Sequence, residues 1–214
     1  MKYRKLGNSE LELPIITLGA LNFGFFCDEE KSIETIKAAI DNGVNCIDTA
    51  PTYGGMRGNS ETITGKAING IRDKVIIATK FGTDPATSRS AIKGGGTKQY
   101  IMGAVEESLE RLDTDYIDLY QVHWPDRPFG AFSGKLEYKH FENPDAIDIE
   151  ETLSALGDLV KAGKVRHIGL SNETPWGVTK FLELAKEKDL PRMMSVQNPY
   201  NLLNRTYEVG LAEI

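Results

Sequence analysis

Residues 48–55, DTAPTYGG, place a carboxylate and a phenol five positions apart around a proline. Asp48 follows a short apolar run, whereas Pro51 and the two glycines after it favour a loop. The pattern therefore predicts Asp48 at the C-terminal end of a strand and Tyr53 in the loop that follows. Catalytic groups occupy this position in α/β barrels. A structural interpretation competes, because such an aspartate can fix a turn and a loop tyrosine can simply pack.

Polar side chains end every predicted strand after the first. They are Asp48, Lys80, His123, Ser171 with Asn172, and Gln197 with Asn198. Each has a structural interpretation by itself, but independent turns have no common reason to carry such groups. Because the carboxyl ends of parallel strands share one face of a barrel, we expect these side chains to converge there.

The elements that position these groups alternate along the chain between short apolar runs and helical periods. The apolar runs, predicted as strands, lie at residues 15–21, 44–47, 75–78, 117–122, 165–170 and 193–196. Helix-ending and helix-starting pairs separate them, such as Asn42 with Gly43 and Thr174 with Pro175. The alternation predicts an α/β fold of βα units with a parallel sheet, preceded by a hairpin at about residues 2–14.

Two connections on the same face of this sheet are long, at residues 82–97 and 124–148. Long loops in compact domains commonly bind something. The second connection contains several aromatic residues: Trp124, Phe129, Phe132, Tyr138 and Phe141. Two interpretations are open for this loop, namely that it covers a substrate and that it simply packs.

Composition and charge narrow the class of protein. With 214 residues, of which 40% are hydrophobic and 26% charged, the chain fits one soluble globular domain. The net charge of −6 and the lack of long basic runs give no reason to expect nucleic acid. No signal peptide, transit peptide or membrane span is predicted, so a cytoplasmic location is expected. Cys27 and Cys46 are expected to be free thiols, and no metal site is predicted.

The motifs at the strand ends, taken together, resemble the aldo/keto reductases and in particular their Tas-like branch. The resemblance rests on DTAPTYGG, the TK that ends KVIIATK, LYQVHWP, IGLSNET and QNPYNLLNR. It extends over nearly the whole chain, from KLGNSEL to EVGLAEI. The resemblance implies a (β/α)8 TIM barrel that reduces a small aldehyde or ketone with NADPH.

The resemblance also assigns roles position by position. Four residues match the catalytic tetrad: Asp48, Tyr53, Lys80 and His123. Three match the groups that hydrogen-bond the nicotinamide carboxamide: Ser171, Asn172 and Gln197. The first-strand backbone along the cofactor corresponds to Gly19, Ala20 and Leu21. The family often has threonine where this chain has Ala20. The expected substrate contacts are Phe23 and Trp124.

Physical chemistry supports these roles. Reducing a carbonyl requires a hydride and a proton for the oxygen that becomes negative, so an acid must stand beside the cofactor. Tyr53 is the expected acid, since an ammonium from Lys80 would make its phenol a stronger acid. Asp48 would keep Lys80 charged and oriented. Neutral His123 would orient the substrate oxygen, or share in proton delivery at lower pH. No GxGxxG motif follows the first strand, so a Rossmann site is not suggested.

Only six core strands can be counted before the chain ends in a predicted helix, whereas a closed barrel typically needs about 250 residues. We therefore expect an incomplete single barrel domain over residues 1–214. By resemblance it lacks the tyrosine that stacks on the nicotinamide and the loop that selects the 2′-phosphate, so NAD is not excluded. Open sheet edges favour self-association. Two other functions remain open: a Schiff-base aldolase that uses Lys80, and a non-catalytic subunit that senses the cofactor.

Overall fold

An antiparallel hairpin precedes a parallel sheet of six strands in the computed structural model, which describes residues 1–83, 92–127 and 146–214. The hairpin strands are β1 (Tyr3–Lys5) and β2 (Glu12–Pro14). The strands of the sheet are β3 (Leu18–Gly19), β4 (Cys46–Asp48), β5 (Ile76–Phe81), β6 (Ile117–Val122), β7 (Val165–Ser171) and β8 (Met193–Gln197). They lie side by side in chain order, and each neighbouring pair is parallel.

In the described part of the chain, one α-helix lies between each pair of consecutive strands of the sheet. The helices are α1 (Glu29–Asp41), α2 (Asn59–Ile68), α3 (Lys98–Leu112), α4 (Ile149–Lys161) and α5 (Pro175–Glu187). Side-chain oxygens cap the first turn of four of them: Asp28, Thr97, Asp148 and Thr174. This order of elements is the succession of βα units that the sequence predicts.

Alternate residues of each strand face opposite sides of the sheet. On β5, Ile77 joins the main hydrophobic core, to which the helices contribute, while Ala78 packs in a smaller cluster with Leu119 of β6. Residues of the hairpin region and of β8 complete the smaller cluster: Leu6, Leu11, Leu13 and Met194. The inner face is therefore apolar at Ala78 and Leu119 and becomes polar two residues further along, at Lys80 and Gln121.

The first strand and the last segment differ from the sequence-based expectation. The run at residues 15–21 predicts a strand, but only Leu18–Gly19 pairs, and Ile15 and Ile16 are exposed. Within the described residues, β3 pairs with β4 alone, and the three residues of β4 offer a short ladder. At the other end, the predicted helix is a single 3-10 turn at Thr206–Val209.

Half of the first long connection and most of the second lie outside the described residues, at 84–91 and 128–145. The predicted substrate-covering aromatics of the second connection lie there too, with the exception of Trp124. Among the helices of the described ranges, none is long and apolar enough to cross a membrane.

Candidate active site

Three neighbouring strand ends bring most of the predicted tetrad together. Asp48 is the last residue of β4, Lys80 is the penultimate residue of β5, and His123 directly follows β6. Their neighbours in sequence point into the main core on the opposite face: Ile47, Phe81 and Val122. Because side chains alternate along a strand, the three polar side chains share the inner face. All three are buried.

The ammonium group of Lys80 is the centre of the site. Its side chain is 1% exposed, and Nζ donates to Asp48 Oδ1 at 2.7 Å, to the Thr49 carbonyl at 3.0 Å and to the Tyr53 hydroxyl oxygen at 3.2 Å. A lysine ammonium has three hydrogens, and here each has one acceptor. The geometry therefore holds Lys80 as a cation, with the Tyr53 oxygen as one of its acceptors.

The loop after β4 presents Tyr53 to this cation. Ser60 of α2 donates to the Ala20 carbonyl at 2.8 Å, which ties the helix to the end of β3. Gly54 has a φ of +87°, and a Cβ at this position would lie 2.5 Å from the Phe23 carbonyl oxygen. Only glycine tolerates both conditions, so the backbone of the turn beside Tyr53 requires a glycine at position 54. The half-buried phenol is thus placed by backbone geometry.

Burial keeps the imidazole of His123 neutral. Desolvation and, secondarily, the nearby charge of Lys80 lower the pKa of His123 from 6.5 to about 3. Its ring lies edge to face against Tyr53, with centroids 5.8 Å apart. Among the residues that the structure describes, its Nδ1 has no hydrogen-bond partner. A neutral imidazole therefore lies beside the phenol at neutral pH.

The ends of β7 and β8 carry a second set of polar groups. Ser171 Oγ donates to the Gln197 carbonyl at 2.9 Å, and Asn172 Nδ2 donates to the His123 carbonyl at 2.9 Å. Asn172 has a left-handed φ of 55°, which asparagine adopts more readily than most residues. Within the described ranges, no hydrogen bond reaches Asn172 Oδ1 or Gln197 Oε1. Two free acceptors therefore lie at the rim next to the tetrad.

Two glutamines donate to the carboxylate of Asp48. Gln197 Nε2 lies 3.1 Å from Oδ2, and Gln121 Nε2 lies 3.4 Å from Oδ1. Gln121 is 2% exposed and is not among the residues that the sequence analysis selects. The alternation of side chains in LYQVH could have indicated it, because Gln121 lies two positions before His123 and shares its face.

A buried ion pair also escaped the sequence analysis. Glu173, 2% exposed, accepts from Arg127 through both carboxylate oxygens. Asn198 Nδ2 donates to the Glu173 carbonyl at 2.8 Å, and the Glu173 amide donates back to Asn198 Oδ1 at 3.1 Å. These bonds tie the loop after β6 to the ends of β7 and β8. They therefore fix the backbone around Asn172.

The remaining predicted residues lie around this cluster. The Ala20 amide donates to the Asp48 carbonyl at 2.8 Å, while Gly19 and Leu21 on either side are exposed. Trp124 is half-buried, and its ring stacks at 6.5 Å from that of His123. Phe23 is 5% exposed and belongs to the main hydrophobic core, an environment typical of a packing residue. Its contact with substrate stays a prediction, as do the cofactor contacts of the first strand.

Comparison with known proteins shows that the chain belongs to the aldo/keto reductase family, whose model matches residues 15–214. Protein tas of Escherichia coli (strain K12) is 41% identical over 223 residues, which cover 100% of this chain and 64% of the relative. Aldo-keto reductase YhdN of Bacillus subtilis (strain 168) is 39% identical, over 97% of this chain and 56% of its own length. The predicted family and its Tas-like branch are confirmed.

Solved structures give the same result for the fold. The holo form of an aldo-keto reductase from Bacillus halodurans superposes with a TM-score of 0.77 at 31% identity, covering 100% of this chain and 62% of that structure. A thermostable aldo-keto reductase in complex with the inhibitor epalrestat gives a TM-score of 0.74 at 33% identity, covering 98% of this chain and 66% of that structure. The predicted fold class, the first six βα units of an aldo/keto reductase barrel, is confirmed. The chain spans between 56% and 66% of the length of these relatives.

Proposed function

We propose that the protein reduces an aldehyde or ketone to an alcohol, with NADPH as the hydride source and Tyr53 as the proton donor. One observation carries the proposal: the buried ammonium of Lys80 donates to the Tyr53 hydroxyl oxygen at 3.2 Å while it is paired with Asp48. Membership of the aldo/keto reductase family supports the class of reaction.

The hydrogen-bond directions around Lys80 explain how Tyr53 would act. Because the Tyr53 oxygen accepts from the ammonium, the phenol's own hydrogen is left for another acceptor. A carbonyl oxygen of the substrate is such an acceptor, and it needs a proton as it becomes negative. Lys80 then stabilises the phenolate that remains. General acid catalysis of this kind contributes about 10²- to 10⁴-fold to a rate.

Asp48 and His123 support the transfer in different ways. An ammonium that is 1% exposed would be costly without a counter-charge, and Asp48 supplies it at 2.7 Å. His123, with a pKa of about 3, carries no extra proton at neutral pH. We therefore assign it to orienting the substrate oxygen, and we assign proton donation to Tyr53 alone.

The rim formed by Ser171, Asn172 and Gln197 fits a nicotinamide carboxamide. The free oxygens Asn172 Oδ1 and Gln197 Oε1 suit the N–H groups of a primary amide, while the Ser171 hydroxyl donates to the Gln197 carbonyl and holds the two strand ends together. A reduced nicotinamide held there would supply the hydride. The preference for NADP over NAD follows the family resemblance.

A cavity next to the loop that carries Tyr53 has both apolar and polar walls. Its volume is about 310 Å³, and its lining includes Leu21, Phe25, Phe26 and Arg57 but none of the four tetrad residues. L-glyceraldehyde 3-phosphate reductase of Escherichia coli (strain K12), named for an aldehyde, is 33% identical over 96% of this chain and 55% of its own length. A small aldehyde or ketone is therefore the proposed substrate class.

The geometry disfavours the Schiff-base alternative. An imine-forming lysine attacks a carbonyl through the lone pair of a neutral amine. Lys80 instead donates to three acceptors, one of them a carboxylate. A cation held in this way has no lone pair to offer.

The proposal is tested with NADPH that carries deuterium at both C4 positions, incubated with the protein and a panel of aldehydes and ketones. We expect an alcohol with one deuterium on the carbinol carbon, detected by mass spectrometry. Saturable NADPH binding without deuterium transfer to any substrate would favour the cofactor-sensing alternative. A covalent adduct on Lys80 after borohydride treatment would favour the aldolase.

A further inference from the structure

The carboxylate of Asp48 has more partners than a simple ion pair requires. Oδ1 accepts from Lys80 at 2.7 Å and from Gln121 at 3.4 Å, while Oδ2 accepts from Gln197 at 3.1 Å. Asp48 is 9% exposed, so these bonds replace most of the water that its carboxylate would otherwise bind. Both of its oxygens are therefore held by side chains of three other strands.

Gln121 approaches Asp48 from the buried side of the sheet. It is the register partner of Lys80 across the β5–β6 pair, so both side chains meet the same oxygen of Asp48. Gln121 is 2% exposed, and within the described residues its one side-chain hydrogen bond goes to Asp48. Any effect of Gln121 on the reaction must pass through Asp48.

Gln197 approaches Asp48 from the exposed side, where the carboxamide site lies. Its Nε2 donates to Asp48, which fixes the plane of the amide and leaves Oε1 as a free acceptor. A carboxylate that accepts from an amide N–H also polarises the amide, so Oε1 becomes a stronger acceptor. One side chain thus connects the expected carboxamide site to the ion pair that holds Tyr53.

We propose that Gln121 and Gln197 are positioning residues that clamp Asp48, and that Gln197 couples cofactor binding to the Asp48–Lys80–Tyr53 chain. The coupling part rests on the proposed function, because it needs a carboxamide at Gln197. The clamp itself belongs to the unliganded protein. Two measurements therefore test the clamp and the coupling separately.

The first measurement is independent of any activity. In ¹⁵N-labelled protein without cofactor, the side-chain amide signals of the two glutamines are assigned from Gln121→Met and Gln197→Met. Asp48→Asn is expected to shift both pairs of signals. Asp126→Asn serves as the matched control, because Asp126 accepts from the Gly96 amide and from neither glutamine.

Unmoved glutamine signals in Asp48→Asn would overturn the clamp, whatever the protein catalyses. Should Asp48→Asn fail to fold, Gln121→Met decides instead. Gln121→Met removes one hydrogen-bond donor of Asp48 and leaves Ser171, Asn172 and Gln197 unchanged. If the clamp exists, the side-chain amide signals of Gln197 must shift in this variant. Unchanged Gln197 signals in that variant would overturn the clamp as well.

The second measurement is the affinity for NADPH, followed by protein fluorescence in the wild type, Asp48→Asn, Gln197→Met and the double variant. We expect Asp48→Asn to weaken binding about five-fold, the lower range of coupling between sites, and to have no further effect once Gln197 is methionine. Additive losses would overturn the coupling. Absence of NADPH binding in all four proteins would overturn both the coupling and the proposed function. The clamp would still be tested independently by the side-chain amide signals of the two glutamines.

Turnover supplies a signature that a purely structural role would not give. Gln121→Met is expected to lower kcat and to weaken NADPH binding less than Gln197→Met does, since Gln121 acts on the cofactor site only through Asp48. Gln197→Met is expected to reduce both kcat and NADPH affinity. Equal effects of the two variants on NADPH affinity would contradict the division of roles.

Discussion

Replacing His123 by asparagine is expected to reduce the loss of stability between pH 7 and pH 5. Burial lowers the pKa of His123 to about 3 in the folded protein, against 6.5 in the unfolded chain. As the pH falls below 6.5, the unfolded chain takes up a proton that the folded protein does not, so folding becomes less favourable. One proton of difference is worth about 1.4 kcal/mol per pH unit, which amounts to about 2 kcal/mol between these two pH values.

The assay is urea unfolding of the wild type and His123→Asn at pH 7, 6 and 5. The difference in free energy of unfolding between the two proteins should shrink by about 2 kcal/mol as the pH falls to 5. His167→Asn is the comparison variant, because burial also lowers the pKa of His167, but only in part, with Asp118 opposing the shift. A parallel loss in the wild type and His123→Asn, or an imidazole signal of His123 that titrates near pH 6.5, would refute the burial argument.

Three further outcomes are expected. Lys80→Met and Asp48→Asn should be non-additive in kcat, because each removes one half of the same ion pair; strict additivity would mean that the two residues act separately. Gly54→Ala should lower the free energy of unfolding by at least about 1 kcal/mol, because of its positive φ and the close carbonyl; an unchanged urea midpoint would show that the turn can adapt. Arg127→Met leaves a carboxylate with 1% side-chain exposure without its counter-charge and should cost about 3 kcal/mol in the same assay. Arg57→Met, at a pair exposed by 39% and 52%, should cost less than about 1 kcal/mol. Equal costs for the two arginine variants would contradict the role of burial.

The strands and several residues of the candidate site can be predicted from the sequence, because the patterns that indicate them are local. Short apolar runs set the strands, and the polar residue that ends each run lies at the carboxyl edge of a parallel sheet. Asp48 follows from this rule directly and Lys80 lies two positions after the run at residues 75–78, and their contact at 2.7 Å is a consequence of neighbouring parallel strands.

The features that escaped depend on contacts between distant parts of the chain. Arg127 and Glu173 are 46 residues apart, and the sequence around either residue does not indicate that the two form an ion pair. The pKa of His123 reflects burial by the assembled site, which a strand pattern does not measure. The shortness of β3 likewise follows from the three-residue length of its partner β4, whereas the apolar run at residues 15–21 alone favours a longer strand.

The role of Tyr53 as the proton donor is decided by comparing Tyr53→Phe with the wild type for NADPH affinity and for turnover of a carbonyl substrate. Phenylalanine keeps the ring against His123 and removes only the hydroxyl that accepts from Lys80 at 3.2 Å. We expect nearly unchanged NADPH affinity and a kcat lowered by at least about 100-fold, the lower range for a general acid. Unchanged turnover in Tyr53→Phe would contradict the claim that Tyr53 is the proton donor.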